Sequence, residues 1–323
     1  MGYKVKSLNY TELIIRRIYG CVQKAIPSAL KTLKWLFQWM VPLSLLVTLL
    51  DYSGALIVIA NWLNPAFKLI GLSGQSSLVF ITAGLLNIYS AIAVIGSLSL
   101  NMREVTILAI MCLISHNLII ETMVQKRTGS SALRMTLLRL GMGIFAGFLF
   151  NLFLPIAMEN TMYHLSTAAH NLTFIEAMKT WGIKTFKLLL KVSVFVFSIM
   201  IIQRMLEEFG ILKWLSIVFR PLMKIFGLSE KTSFLWIVAN VVGLMYGAAI
   251  MFDELKNNKI TEEECDLLNH HTAVSHSLLE DTLLFAALGV PILWIVIPRV
   301  LLAIPVVWIA RFLYNRAVDY QSV

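Results

Sequence analysis

The sequence predicts an all-α polytopic membrane protein made of two inverted-topology repeats. Each repeat would hold crossing helices, an interfacial helix and a broken or re-entrant hairpin. Three observations carry this. Of 323 residues, 58% are hydrophobic and only 14% charged, where soluble domains carry about 25% charged residues. Apolar runs long enough for about 30 Å of hydrocarbon fall around 35–50, 105–125, 137–158, 186–203 and 290–310. The stretch Ser275-His276-Ser277-Leu278-Leu279-Glu280-Asp281-Thr282 is echoed upstream as Ser115-His116-Asn117-Leu118-Ile119-Ile120-Glu121-Thr122. A β-barrel would need short alternating segments, which are absent.

The echo belongs to a repeat of the whole chain. Gly54, Leu56, Pro65, Lys68, Gly71, Leu72, Ser73 and Ser77 recur in order as Gly210, Leu212, Pro221, Lys224, Gly227, Leu228, Ser229 and Ser233. After an insertion, Ser115, His116, Leu118, Thr122, Gly129 and Arg139 match Ser275, His276, Leu278, Thr282, Gly289 and Arg299. The division is a cytoplasmic amphipathic lead-in (1–32), a first repeat (33–156), a connecting amphipathic segment (157–185), a second repeat (186–313) and a cytoplasmic tail (314–323).

Each repeat opens with a lead-in (8–31, 161–182) and a crossing helix (33–51, 186–206). A Pro-interrupted segment follows (54–71, 210–227), too polar to span comfortably and suited to the interface. The next stretch (75–100, 232–252) is broken by Gly84, Asn87 and Ser90, or by Asn240, Gly243 and Gly247. Interruptions in corresponding positions of two halves point to discontinuous helices lining a site. Two spans complete each repeat, 103–125 with 130–156 and 262–287 with 290–313. Thr261 and Glu264 form a capping box that starts an expected continuous helix over 262–287. On such a helix Ser277 and Asp281 share a face, as do His276 and Glu280.

Charge favours one of two topologies, since full crossing by both doubtful segments would leave only 18 of the 27 Lys/Arg inside. With re-entrant hairpins and a cytoplasmic N-terminus, 20 of the 27 Lys/Arg lie on the cytoplasmic side, as the positive-inside rule requires. Each half then crosses three times, so the halves are inverted, both termini are cytoplasmic and the setting is the plasma (inner) membrane. The seven Lys/Arg before residue 35 and the missing small-residue cleavage pattern speak against a cleaved signal. The net charge of +9 is spread over helix ends, which excludes a nucleic-acid patch. No Gly-rich phosphate loop occurs, which excludes ATP-driven transport by this chain alone. No oxyanion-hole motif accompanies Ser275-His276, so no enzyme is expected and no cofactor.

Ionisable groups in apolar runs are costly to bury and mark functional sites. The ion-coupling candidates are His116, Glu121, His276, Glu280, Asp281 and Arg299. The competing reading is a polar clamp between helices. Arg299 would pair with Glu280 or Asp281, and Arg139 with Glu121 would be its weaker mirror image. A metal reading would use His271, His276 and Glu280, although their spacing fits no closed structural site.

Three features together resemble the nucleoside recognition, or Gate, domain. They are Ser53-Gly54 and Phe209-Gly210, the Pro-x-x-Lys-x-x-Gly-Leu-Ser of 65–73 and 221–229, and the Ser-His-x-Leu-x-x-Asp/Glu-Thr motif. The resemblance covers 33–156 and 186–313 as two copies. Spore maturation proteins A and B, the membrane part of ferrous-iron transporter B and the core of concentrative nucleoside transporters are similar in arrangement. That implies a solute site between the hairpin tips (Asn87, Tyr89, Ser90, Asn240, Tyr246, Gly247) and the helices after them (Asn117, Ser277, with the ionisable groups above). The expected function is a proton- or cation-coupled secondary transporter of a small polar solute. A divalent-metal permease and a non-transporting membrane scaffold are the alternatives. Expected partners are the solute, the coupling ion and the bilayer; a homo-oligomer is allowed and nucleic acid is not expected.

Overall fold

The computed structural model describes residues 10–160 and 172–321, so residues 161–171 of the second expected lead-in lie outside the described residues. Every regular element among them is helical, as expected for a chain that must satisfy its backbone without water. The first half comprises α1 (Tyr10–Tyr52), α2 (Ala55–Lys68), α3 (Ser76–Leu85), α4 (Ile88–Ser97), α5 (Met102–Ser115), α6 (Leu118–Arg127) and α7 (Ala132–Phe153). The second half repeats the order as α8 (Phe174–Glu208), α9 (Ile211–Ile225), α10 (Ser233–Val241), α11 (Leu244–Lys256), α12 (Glu262–Val274), α13 (Glu280–Ala286) and α14 (Ile292–Gln321). Among the described residues, five helical stretches are long and apolar enough to cross a membrane: 11–52, 102–127, 132–153, 174–208 and 292–316.

Lead-in and crossing helix are not separate elements. Each pair fuses into one helix, the 43-residue α1 and the 35-residue α8, because no glycine turn separates them. Pro27 and Pro42 sit inside α1. The last span likewise continues beyond 313 to Gln321 in place of a separate tail.

α1 and α8 pack side by side and run in opposite directions. Arg17 near the start of α1 pairs with Glu208 at the end of α8, at 2.9 Å. Ser44 near the end of α1 accepts a hydrogen bond from Trp181 near the start of α8, and Tyr52 meets Phe174 edge-on. These are corresponding helices of the two halves, so the halves themselves are inverted. The turns repeat with them. Positive φ occurs at Gly54 and Gly210, at Gly71 and Gly227, at Asn117 and Ser277, and at Gly129 and Gly289.

The interrupted stretches fold back on themselves. α3 and α4 have 10 residues each, about 15 Å of helix, or half the hydrocarbon thickness. They pack against each other, as do α10 and α11. α2 and α9 are short and amphipathic. They expose Val58, Trp62, Trp214 and Ile217 while carrying Lys68, Lys213, Arg220 and Lys224, a composition suited to the interface.

The spans that follow the hairpins depart from expectation. Neither 103–125 nor 262–287 is one continuous helix. The first breaks at His116-Asn117, the second over Ser275–Leu279. Asn117 (φ 50°) and Ser277 (φ 48°) take the left-handed conformation, which Asn tolerates better than most residues. In that conformation each donates its N–H to a hairpin carbonyl, Asn117 to Ala83 at 2.8 Å and Ser277 to Ala239 at 3.1 Å. The shared faces derived for Ser277 with Asp281 and His276 with Glu280 assumed one helix, and that premise fails. The capping box of Thr261 with Glu264 is present, and Asn101 with Glu104 forms a second one.

Candidate functional site

The two breaks face each other at the junction of the halves. Each leaves free carbonyls at the end of one helix and free N–H groups at the start of the next. Two buried arginines serve the carbonyls. Arg139 from α7 donates to Ile114 O (2.9 Å) and His116 O (2.7 Å). Arg299 from α14 donates to His276 O (3.1 Å). A cation at a helix C-terminus also meets the negative end of the helix dipole. Both arginines are 0% exposed, so neither snorkels to the surface.

The carboxylates occupy the opposite, positive ends. Glu121 lies in the first turn of α6, and Glu280 and Asp281 in the first turn of α13. The two motif histidines meet across the junction with ring centroids 5.0 Å apart and planes tilted by 33°. Each reaches the other half's acid: His116 Nε2 lies 3.4 Å from Asp281 Oδ2, and His276 Nε2 lies 3.1 Å from Glu121 Oε2. His116 Nε2 is also 3.3 Å from Glu121 Oε1. Such reciprocity is the mark of a two-fold axis. His116, Glu121, His276 and Asp281 are all buried.

The arginine pairing reverses expectation. Arg139 makes the direct ion pair, 2.6 Å from Glu121 Oε2. Arg299 has no carboxylate within ion-pair distance among the described residues; it donates to Thr282 Oγ1 and to Ile295 O. Glutamate is one methylene longer than aspartate and spans the gap to its arginine, whereas Asp281 Oδ2 turns to His116.

The remaining predicted positions divide. Tyr89 of α4 crosses to the second half and donates to Glu280 Oε1 at 2.8 Å, while Gln203 of α8 approaches Glu280 Oε2 at 3.3 Å. Asn87 caps α4 by accepting from Ser90 N. Ser90 Oγ and Asn240 Oδ1 are buried without a partner among the described residues. Gly247 packs on α10, where a Cβ would sit 3.1 Å from Ala239. Tyr246 is elsewhere: 46% exposed, it donates to Glu207 on α8. His271 does not join His276 and Glu280. Its Nδ1 accepts from Trp236 and its ring packs on Phe226. The set His271, His276, Glu280 is therefore replaced by His116, Glu121 and His276, whose ligand atoms all lie within 4.8 Å of one another.

Much of the polarity of α12 serves a clasp between the halves. Ser130 and Arg134 both donate to Asp266 Oδ1 at 2.6 Å. Asn269 donates to Thr128 and Ser130, and Gln125 donates to Asn269 O. No local sequence pattern names the partners of Asp266 and Asn269, which lie in the other half of the chain.

Comparison with known proteins falls on the same division of the chain. The family described as nucleoside recognition (Gate) matches residues 33–128 and 189–307, one segment in each half. An uncharacterized membrane protein of Bacillus subtilis (strain 168), YvoD, is 29% identical over 273 residues, 81% of this chain and 85% of its own length. No solved structure matches the chain.

Proposed function

We propose, for a chain that belongs to the nucleoside recognition (Gate) family, that it is a secondary transporter. It moves a small polar solute, coupled to a proton or cation, by rocking or sliding about the axis that relates its halves. The observation that carries this reading is the reciprocal contact of His116 with Asp281 and His276 with Glu121, buried between two broken helices. Ionisable groups are retained at such depth at a cost of several kcal/mol unless they work. Broken helices beside folded-back hairpins are the usual place where transporters hold solute and coupling ion.

The solute binds where the hairpins leave polar atoms unanswered, at Ser90 Oγ and Asn240 Oδ1. Tyr89 and Glu280 close that side. The plasma membrane is the setting the charge distribution favours. The test is flux. Purified protein in liposomes, loaded with a panel of nucleosides, amino acids and organic anions, accumulates one class under an imposed ion gradient. Asp281→Asn abolishes the gradient dependence, and Tyr246→Phe leaves it unchanged. Gradient-independent leak, or equal flux in Asp281→Asn and the wild type, contradicts the proposal.

A further inference from the structure

We propose that His116, His276, Glu121 and Asp281 bind one divalent transition-metal ion. The proposal rests on the transport reading only for what the ion then does; binding itself stands on the geometry.

The tautomers are fixed from outside the cluster. His116 Nδ1 lies 3.1 Å from Cys112 O and His276 Nδ1 lies 2.8 Å from Thr272 O. A carbonyl can only accept, so both Nδ1 atoms carry hydrogen, and a neutral ring presents a bare Nε2. Metal-ligating histidines are oriented in this way, by an outer hydrogen bond on the other nitrogen. A neutral ring would then set its bare nitrogen against carboxylate oxygens, lone pair against lone pair, an arrangement relieved by a proton on each ring or by one shared cation.

One proton relieves one such contact and leaves the second imidazole facing an acid. One metal relieves all of them. The distances discriminate further. Two of the Nε2 to carboxylate separations, 3.3 and 3.4 Å, lie beyond N–H···O bonds of about 2.7–3.2 Å, and the third, 3.1 Å, lies inside that range. The two longer ones, from His116 Nε2 to Glu121 Oε1 and to Asp281 Oδ2, fit the edges of a tetrahedron around Zn²⁺, about 3.3–3.6 Å for metal–ligand bonds of about 2.0–2.2 Å. Among the described residues, His276 Nε2 and Asp281 Oδ2 have no hydrogen-bond partner although buried. Two imidazoles with two carboxylates suit Zn²⁺, Fe²⁺ or Mn²⁺ better than Ca²⁺ or Mg²⁺. Arg139 beside Glu121 does not exclude the ion, since a carboxylate offers about four lone-pair sites.

Equilibrium binding tests this without reference to flux. The full chain in detergent is stripped with chelator and titrated with Co²⁺, then back-titrated with Zn²⁺. The expected result is one Co²⁺ per chain with the intense visible bands of four-coordinate cobalt, displaced by Zn²⁺. His116→Asn and His276→Asn each weaken binding at least tenfold, while His271→Asn binds like the wild type. Absence of stoichiometric Co²⁺ in the well-folded wild type overturns the proposal, as does binding that survives His116→Asn/His276→Asn. Metal binding without flux overturns the transport reading alone; Asp281-dependent flux without metal overturns this one alone.

Discussion

The two copies of the central motif share a backbone and differ in their charges. In the first half Glu121 is anchored by Arg139 at 2.6 Å. In the second, Asp281 keeps His116 as its near partner, and Arg299 is spent on Thr282 and two carbonyls. The second half also adds Glu280, where the first has Ile120. Inverted symmetry therefore sets positions, and substitutions within it divide the labour. Glu121 is held by an arginine, whereas Asp281 has a histidine as its near partner.

Removing each arginine should separate these roles most sharply. Arg139→Met strands a buried carboxylate and two helix-end carbonyls, and breaking such a pair costs about 3–5 kcal/mol. Arg299→Met strands carbonyls and a hydroxyl, about 1–3 kcal/mol. Unfolding in detergent should rank them in that order, and equal losses would erase the distinction between the halves.

Gly143 and Ala303 occupy corresponding positions on α7 and α14. A Cβ on Gly143 would collide with Ser115 Oγ and sit 3.2 Å from Met111 O. The bare backbone lets Ser115 donate to Arg139 O at 2.7 Å, whereas Ser275 Oγ has no partner. Gly143→Ala should cost about 1–3 kcal/mol through overpacking. Ala303→Gly should cost about 0.5–1 kcal/mol of backbone entropy. Thermal melting of the two variants checks the order.

Loss of the Tyr89 hydroxyl should cost less than loss of Arg139. Tyr89→Phe removes one charge-assisted bond to Glu280, about 1.5–3 kcal/mol at most, and leaves the first-half site intact. The smallest effect falls on the caps. Asn101→Ala and Thr261→Ala each remove a capping box and should each cost about 1 kcal/mol. A cost confined to one of them would show that the helix starts, unlike the motif cores, are not equivalent.

The frame of the fold was legible because glycine and proline carry it. Gly54, Gly71 and Gly129 recur as Gly210, Gly227 and Gly289 since each turn needs positive φ, and that need survives inversion. The helix breaks were illegible because no glycine or proline marks them. Asn117 and Ser277 take the left-handed conformation to reach Ala83 O and Ala239 O, a contact between segments far apart in sequence. The site was half legible. His116, Glu121, His276 and Asp281 stood out as charges in apolar runs, but which histidine meets which acid follows from a symmetry axis no local pattern encodes. His271 shows the limit, since it sits near His276 in sequence and belongs to an aromatic core with Trp236 and Phe226.

The central claim is that opposed copies of one motif build the site, and sidedness tests it most directly. Single cysteines at Ser53 and Glu207, near the ends of α1 and α8, are labelled with a membrane-impermeant reagent in intact and permeabilised cells, with Cys21, Cys112 and Cys265 replaced by alanine. The inverted arrangement predicts that one position labels in intact cells and the other only after permeabilisation. Labelling of both from the same side would make the halves parallel and pull His116 and His276 apart.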